Sequence, residues 1–301
     1  MSLTKTLENV TRRCLPPAGA RLAKRLAVGA RYRAQAQACR EGFAQFGDRY
    51  PQKSLFVAGL PKSGTTWVEK MLSSFPGFHE LLIPEVAAHE MATGGSHDFE
   101  LPEDMFDRFK DMLVLSKMHV HGSVHNAEVL RRAGVRYVIL FRDLRDVAVS
   151  NYFYVCNTPW HPEYRHYHGR SVEEGLMTFA ERTLPAYVQW VRSWQANRDP
   201  ERSLVFRYEE LLADDLGCLQ KMAALFELPA SDDELREIAE RNSFKAMSGG
   251  RERGEESGSS FQRKGQAGDW KNHFTPAITE VYRRVLGEFL VEFGYERSED
   301  W

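Results

Sequence analysis

The sequence predicts an α/β protein, a three-layer sandwich in which a central parallel sheet is flanked by helices. Two observations predict this fold: short apolar runs end abruptly in polar residues, and helical patterns separate these runs. Strands that alternate with helices form parallel sheets that are covered on both faces. A third observation, a strand–turn–helix pattern with glycines in the turn at 54–72, adds a P-loop-like anion-binding loop.

The loop pattern lies in SLFVAGLPKSGTTWVEKML, where Gly59 closes an apolar strand and a helical pattern starts at Thr65. Anions bind at helix N-termini, and Lys62 adds a full charge close to that point. In the nucleotide-triphosphatase motif a lysine follows the second glycine, whereas two threonines follow Gly64 here. The stretch therefore predicts a phosphate ligand with little support for magnesium–ATP chemistry. An ordinary strand–turn–helix and a P-loop kinase or NTPase remain alternatives.

Further strands and helices follow in alternation along the chain. The apolar runs predict buried strands at 112–119, 136–141 and 203–208, and helical patterns cover 143–154, 172–196 and 209–226. Ligands of such sheets bind beyond the carboxyl ends of the strands. The polar residues that could meet there are Lys62, Lys117, His119, Arg142 and Tyr208.

Arg142 directly follows the strand at 136–141, and Ser150 lies two helical turns further on. An arginine can bind a phosphate through two donors, and a nearby serine hydroxyl can add a third. The alternative for Arg142 is an ion pair with Asp143 or Asp146. Because Asp143 could also serve as the magnesium-binding acid of a triphosphatase, that class of enzyme remains an alternative.

Lys117 and His119 are two residues apart and therefore lie on the same side of a strand end. A histidine in that position can accept a proton from a hydroxyl near neutral pH. A structural role for His119 is the alternative, and His121 and His125 compete with it as candidate bases.

The stretch at 248–275 is polar and rich in glycine and cations. A stretch of this length inside a domain is either functional or disordered. Arg263 and Lys264 could close over a phosphate, and Gly265 would let the backbone approach it. The alternative is an ordinary surface loop.

The composition of the 301 residues is globular, with 43% hydrophobic and 27% charged residues. The net charge of −2 gives no global basic field for nucleic acid. Four cysteines without a C-x-x-C pair fit a reduced compartment and argue against a zinc site. The sequence shows no signal-peptide core and no apolar run long enough for a spanning helix, so we expect a cytoplasmic protein.

The first forty residues carry nine cations against the single acid Glu8, which leaves the remaining chain at −10. We therefore divide the chain into a basic, helical N-terminal segment at 1–50 and one domain at 51–301. The segment could touch an anionic membrane surface, act as a transit peptide or pack on the domain as a solvated helix.

Taken together, the motifs resemble those of cytosolic-type sulfotransferases, which use 3′-phosphoadenosine 5′-phosphosulfate (PAPS). Four segments match in the family's order: LPKSGTTW (60–67), SKMH (116–119), FRDLRDVAVSNYFY (141–154) and FQRKGQAGDWKNHFT (261–275). The shorter segments RYEEL (207–211) and NSFKAM (242–247) support them. The resemblance spans residues 54 to about 294. It implies transfer of the sulfuryl group to a hydroxyl of a small-molecule, lipid or sugar acceptor, which leaves 3′-phosphoadenosine 5′-phosphate (PAP) as the product.

The resemblance also implies roles for individual residues. The catalytic residues would be Lys62 on the leaving oxygen, His119 as the base and Lys117 on the equatorial oxygens. The donor-binding residues would be Lys62, Ser63, Gly64, Thr65, Thr66, Trp67, Arg142, Ser150, Tyr208, Phe244, Arg263, Lys264 and Gly265. Because these cations and amides hold the donor, no metal is required. An inactive nucleotide-binding module is a further alternative.

The chain departs from the family pattern in two places. The stretches at 79–102 and 156–170 share little with the family, and we expect them to form an acceptor lid; their histidines do not predict a metal site. The family's dimer motif K-x-x-x-T-V-x-x-x-E has Pro276 in place of valine. A proline removes a backbone donor, which disfavours dimerisation through this motif. A homodimer formed through another surface remains an alternative.

Overall fold

The sheet has five parallel strands in the part of the chain that the structure describes. This computed structural model describes residues 17–93, 95–159, 161–257 and 263–301, and side chains from residue 27 onward. The strands are β1 (Ser54–Gly59), β2 (His79–Glu80), β3 (Val114–Met118), β4 (Tyr137–Phe141) and β5 (Ser203–Arg207), in the order β2–β3–β1–β4–β5. The predicted α/β sandwich is confirmed, and the short edge strand β2 is an addition to it.

Helices cover both faces of this sheet. They are α1 (Pro17–Phe46), α2 (Thr65–Leu72), α3 (Pro84–Thr93), α4 (Val124–Arg132), α5 (Leu144–Cys156), α6 (Tyr164–Tyr167), α7 (Val172–Arg182), α8 (Leu184–Asn197), α9 (Tyr208–Ala213), α10 (Asp215–Leu225), α11 (Asp232–Arg241), α12 (Phe244–Met247) and α13 (Pro276–Glu292). Single 3₁₀ turns lie at Gly47–Arg49, Asp107–Phe109 and Asp269–Asn272.

The core lies on both faces of β1, which is buried along its whole length. Phe56 and Ala58 belong to the apolar cluster beneath α7, α8 and α13, whereas Leu55 and Val57 belong to the cluster beneath α2, α10 and α11. Because successive side chains of a strand point to opposite faces, an unbroken apolar run is the pattern of a strand covered twice. This central position fixes the loop that follows Gly59.

The boundaries differ from the predicted ones where local chemistry interrupts a helix. The pattern at 172–196 forms two helices, because α7 ends at Arg182 and α8 has Pro185 in its first turn, where a missing N–H does no harm. The pattern at 209–226 divides at Asp214, whose carboxylate caps α10 by accepting from the Gly217 N–H at 2.8 Å. The helix predicted at 143–154 continues to Cys156, and the three later strands are one to three residues shorter than predicted.

The C-terminal part of α1 packs beside β2 at the edge of the sheet. Arg31 donates to Glu80 at 2.8 Å, Gln35 accepts from the Leu82 N–H at 2.9 Å, and the buried Cys39 accepts the Leu113 N–H at 3.1 Å through its carbonyl oxygen. Residues 1–16 of the predicted basic segment lie outside the described residues. Among the described helices, none combines the length and the apolar character that crossing a membrane requires.

Candidate active site

A cavity of about 1210 Å³ opens at the carboxyl ends of β1, β3 and β4. All the site residues predicted from the sequence line it except Ser63. Ser63 is fully buried instead, and its hydroxyl has no hydrogen-bond partner within the described ranges. Segments that are up to 200 residues apart in the sequence thus meet at one place, as the ends of parallel strands should.

The loop between β1 and α2 brings the backbone close to this cavity. Its turn has two left-handed residues, Lys62 at φ 66° and Gly64 at φ 87°. A Cβ at Gly64 would lie 2.8 Å from the Tyr208 ring, so both the conformation and the available space require glycine. Helix α2 starts directly after it, and the N–H groups of its first turn make the loop suited to an anion.

Lys62 extends from this turn into the cavity, where its Nζ lies 3.8 Å from the centroid of the Tyr154 ring. Burial lowers the pKa of Lys62 to about 7, and the nearby charges of Arg142 and Arg263 contribute to the shift. Several cations thus converge on one space, which is the electrostatic arrangement for a polyanionic ligand.

His119 lies just beyond the end of β3, with its Nδ1 at 2.5 Å from the carbonyl oxygen of Gly59. A carbonyl oxygen can only accept, so Nδ1 carries the proton and Nε2 keeps the lone pair. Burial lowers the pKa of His119 to about 4; the Gly59 bond opposes this, while Lys117 and Lys62 add to it. The imidazole is therefore neutral and able to accept a proton near pH 7.

The backbone around His119 is held by helix α8. The Trp190 indole donates to the His119 carbonyl oxygen at 2.7 Å, and the Trp194 indole donates to that of Val120 at 3.0 Å. Both tryptophans are almost completely buried. The position of the candidate base is therefore set by the core. Of its competitors, His121 pairs with Glu100 at 3.1 Å and His125 bonds the Leu101 carbonyl oxygen at 2.7 Å.

Lys117 also lines the cavity, but its ammonium group forms an ion pair with Glu69 of α2. Both side chains are mostly buried. The pair joins β3 to the helix that follows the anion-binding loop. Any contact of Lys117 with a ligand must therefore be shared with Glu69.

Arg142 follows β4 and is buried. Its Nη2 donates to Asp146 at 3.1 Å and to the Gln266 carbonyl oxygen at 2.8 Å, and its Nε has no partner among the described residues. The ion pair considered from the sequence is thus formed with Asp146, while Asp143 binds Arg145. Ser150 lies one turn beyond Asp146 on α5 and lines the cavity. A buried donor of this kind is available for a ligand.

Arg263 and Lys264 both bind the buried carboxylate of Asp269, Lys264 at 2.6 Å. Burial raises the pKa of Asp269, but hydrogen bonds from His273, Lys264 and Arg263 outweigh it and hold that pKa below its usual range. Asp146 fixes the same segment by accepting the N–H groups of Gly268 and Trp270 at 2.7 and 2.9 Å. Sequence reasoning assigned no role to Asp269, although an acid soon after two adjacent cations signals such a counterion. Phe261 and Gln262 of the predicted motif lie outside the described residues.

Aromatic rings line the other side of this cationic group. Trp67 and Tyr208 meet edge to face with centroids 6.4 Å apart, and no described residue pairs with the buried Trp67 indole N–H. A Cβ at Gly265, which has φ 61°, would lie 2.3 Å from the buried Phe244 ring. The contact explains why glycine follows the two cations, because any side chain would displace Phe244.

The two segments that we expected to form an acceptor lid also contribute to the cavity lining. His97 and Asp98 come from the stretch at 79–102, and His161 and Glu163 come from the stretch at 156–170. The ring centroids of His97 and His119 are 5.5 Å apart. In the ranges that the structure describes, no group of three acidic, histidine or cysteine side chains could hold a metal ion.

Comparisons with known proteins match this architecture. The model of the sulfotransferase domain family matches residues 52–294. Sulfotransferase 2A6 of Rattus norvegicus is 25% identical over 80% of this chain and 86% of its own length. Cytosolic sulfotransferase 3 of Arabidopsis thaliana is 27% identical over 85% of this chain and 82% of its own.

Solved structures share the fold. Mouse sulfotransferase SULT7A1, a complex with PAP, is 19% identical with a TM-score of 0.60, and the match covers 82% of this chain and 88% of that one. Retinol dehydratase, in a complex with retinol and PAP, is 20% identical with a TM-score of 0.56, covering 83% and 86%.

Proposed function

The chain belongs to the sulfotransferase domain family, and from this premise we propose that it moves a sulfuryl group from PAPS to a hydroxyl of a small-molecule acceptor. The observation that carries the proposal is His119, which lines the same cavity as Lys62 and the cations around Asp269 and whose Nδ1 bond leaves the lone pair on Nε2. Family membership favours this reaction over phosphoryl transfer by a kinase or NTPase. Solved structures of retinol dehydratase, which shares the fold, hold PAP together with androsterone or retinol, and this supports the class of ligand.

The cavity fits this donor by its own chemistry. The Arg142 Nε and the Trp67 indole N–H are buried and unpaired in the described part of the chain, and Gly64 and Gly265 leave room where a Cβ would collide. Arg142, Ser150, Arg263, Lys264 and the Gly265 N–H would bind the 3′-phosphate. Trp67, Tyr208 and Phe244 would hold the adenine, and the loop of Lys62 to Thr66 would hold the phosphosulfate. PAPS supplies the sulfuryl group when it is bound.

The residues of the chain then have separate tasks in the transfer. His119 accepts the proton of the acceptor hydroxyl at Nε2 while the new S–O bond forms, and Nδ1 remains bonded to Gly59. Lys62 stabilises the negative charge on the bridging oxygen as the old S–O bond breaks. Lys117 faces the equatorial oxygens and shares its charge with Glu69.

The test is mass spectrometry of a panel of hydroxyl compounds incubated with the protein and PAPS, where a product gains one SO₃ group and PAP accumulates. His119→Ala should lower turnover roughly 10²–10⁴-fold, the usual contribution of a general base, and should leave PAP binding in calorimetry nearly intact. His125→Ala is the matched control, since that imidazole bonds a structural carbonyl.

Wild-type turnover in His119→Ala, measured where chemistry limits the rate, would remove His119 as the base. Tight PAP binding without transfer to any acceptor would favour the inactive nucleotide-binding module.

Location and partners are further parts of the proposal. The relative named cytosolic sulfotransferase supports a cytoplasmic location, which fractionation would test. A homodimer would be visible in light scattering, but Pro276 begins α13 and its missing N–H disfavours the family's dimer motif. Contact of the basic segment at 1–50 with anionic membranes would be visible in vesicle sedimentation.

A further inference from the structure

Four imidazoles line the cavity, those of His97, His119, His121 and His161, and that of His121 is paired with Glu100. His97 meets His119 edge to face at 5.5 Å between centroids and meets the buried Tyr187 at 5.8 Å. Its backbone is fixed too, because its carbonyl oxygen accepts the His121 N–H at 2.9 Å. The His97 ring therefore occupies a defined position beside the proposed base.

His97 has a hydrogen-bonding atom that the described residues do not satisfy. Its Nδ1 is buried and has no partner among them. Buried polar atoms nearly always have a hydrogen-bond partner, and an exception points to a bound ligand or a water. Because the same ring lines the cavity, a bound molecule is the natural partner of His97.

The charge state of these rings limits the kind of molecule. Burial lowers the pKa of His97 to about 3, and burial and the charge of Lys62 lower the pKa of His161 to about 4. A neutral imidazole offers one donor and one acceptor, which matches a hydroxyl group, itself both donor and acceptor. Neutral rings add no charge that would attract an anionic group.

A cationic acceptor fits this region poorly as well. The carboxylate of Asp98 is already bonded to His89 at 2.8 Å, and that of Glu163 accepts from the Thr183 hydroxyl at 3.5 Å. Lys62 points into the same cavity and would repel a cation. The surroundings of His97 thus favour an uncharged and polar ligand.

Resting on the proposed function, we infer that His97 binds a second hydroxyl next to the one that receives the sulfuryl group. The acceptor then belongs to the class of neutral polyols and glycosides, and His97 is a specificity-determining residue. With ring centroids 5.5 Å apart, His97 and His119 lie close enough for one small molecule to contact both rings.

The experiment compares cis-cyclohexane-1,2-diol with cyclohexanol, two compounds of the same shape that differ by one hydroxyl. The preference is the ratio of their kcat/KM values with PAPS and, separately, the ratio of their affinities for the PAP-bound protein. We expect the wild type to prefer the diol by on the order of tenfold or more, the effect of one buried hydrogen bond.

Two variants assign this preference to the ring of His97. His97→Phe keeps a flat side chain without polar atoms, so both ratios should fall towards one. His97→Asn restores a donor and an acceptor and should recover part of the preference. His79→Asn, at an exposed histidine of β2, is the control.

A wild-type ratio near one, failure of the diol to bind, or a preference unchanged in His97→Phe would each overturn the inference. Absence of sulfuryl transfer to either compound would count against the proposed function, while the affinity ratios would still decide the role of His97.

Discussion

Lys62 carries its charge where burial and two nearby arginines oppose it. Its pKa of about 7 means that the free protein loses this charge as the pH rises through neutrality. An anionic donor favours the charged form and must raise that pKa when it binds. The residue proposed to stabilise the leaving oxygen is thus fully charged only with its ligand.

We predict that PAP affinity decreases as the pH rises from about 7 to about 9, because ever fewer free molecules carry charged Lys62. Isothermal calorimetry over this range measures the effect. Lys62→Arg keeps its charge at every accessible pH, so its affinity should stay level. An equal pH dependence in both proteins would show that another group titrates.

At the scale of elements, the candidate site includes a short segment that one carboxylate binds to helix α5 and another braces from within. The segment at 263–270 is fixed by Asp146 of α5 and by Asp269. Gly265 and Gly268 both have positive φ in this segment, at 61° and 80°. Only the former faces a ring, since no atom of the described residues lies within 4 Å of a Cβ built at Gly268.

We predict that Gly265→Ala weakens PAP binding much more than Gly268→Ala does. Both substitutions place alanine in a left-handed conformation, at a cost of about 1 kcal/mol or more. Gly265→Ala must also displace Phe244, which we expect to lower PAP affinity tenfold or more, as loss of about 1.4 kcal/mol would. Calorimetry and thermal unfolding of the two variants separate the effects, and equal losses of affinity would contradict the role of Phe244.

The same scale shows what could be read from the sequence. The strands and the anion-binding loop were predictable because an unbroken apolar run closed by glycine is typical of a buried strand that enters a tight turn. Pro185 and Asp214 are local signals for the start of a helix, and they would have divided the patterns at 172–196 and 209–226 into two helices each. Roles set by distant chain segments, such as the anchoring of 263–270 by Asp146 and the unpaired Nδ1 of His97, depend on packing that no local pattern encodes.

Over the whole molecule, the proposed donor site joins residues from 62 to 265, so a ligand there adds contacts between segments that are far apart in the sequence. Anything that binds the folded state and not the unfolded one raises the free energy of unfolding. The 3′-phosphate should matter most, because Arg142, Arg263 and Lys264 converge from two distant parts of the chain.

We predict that PAP at 100 times its dissociation constant stabilises the protein by about 2.7 kcal/mol, a rise in Tm of roughly 4–5 °C. AMP, which lacks the 3′-phosphate, should have a much smaller effect at the same concentration. Arg263→Gln should reduce the difference between the rise in Tm with PAP and the rise in Tm with AMP. An equal rise in Tm with PAP and with AMP in the wild-type protein would mean that Arg142, Arg263 and Lys264 do not bind the 3′-phosphate.

The two indole hydrogen bonds behind His119 have a consequence for how this protein could diversify. Trp190 and Trp194 fasten the backbone at the end of β3 to helix α8, whereas His97 and His161 come from the segments at 79–102 and 156–170. Substitutions at positions of those segments that line the cavity can therefore change the acceptor while the backbone of the proposed base stays fastened to the core. A lineage could exchange one acceptor for another by small steps, and an engineer could vary such positions around an unchanged reaction centre.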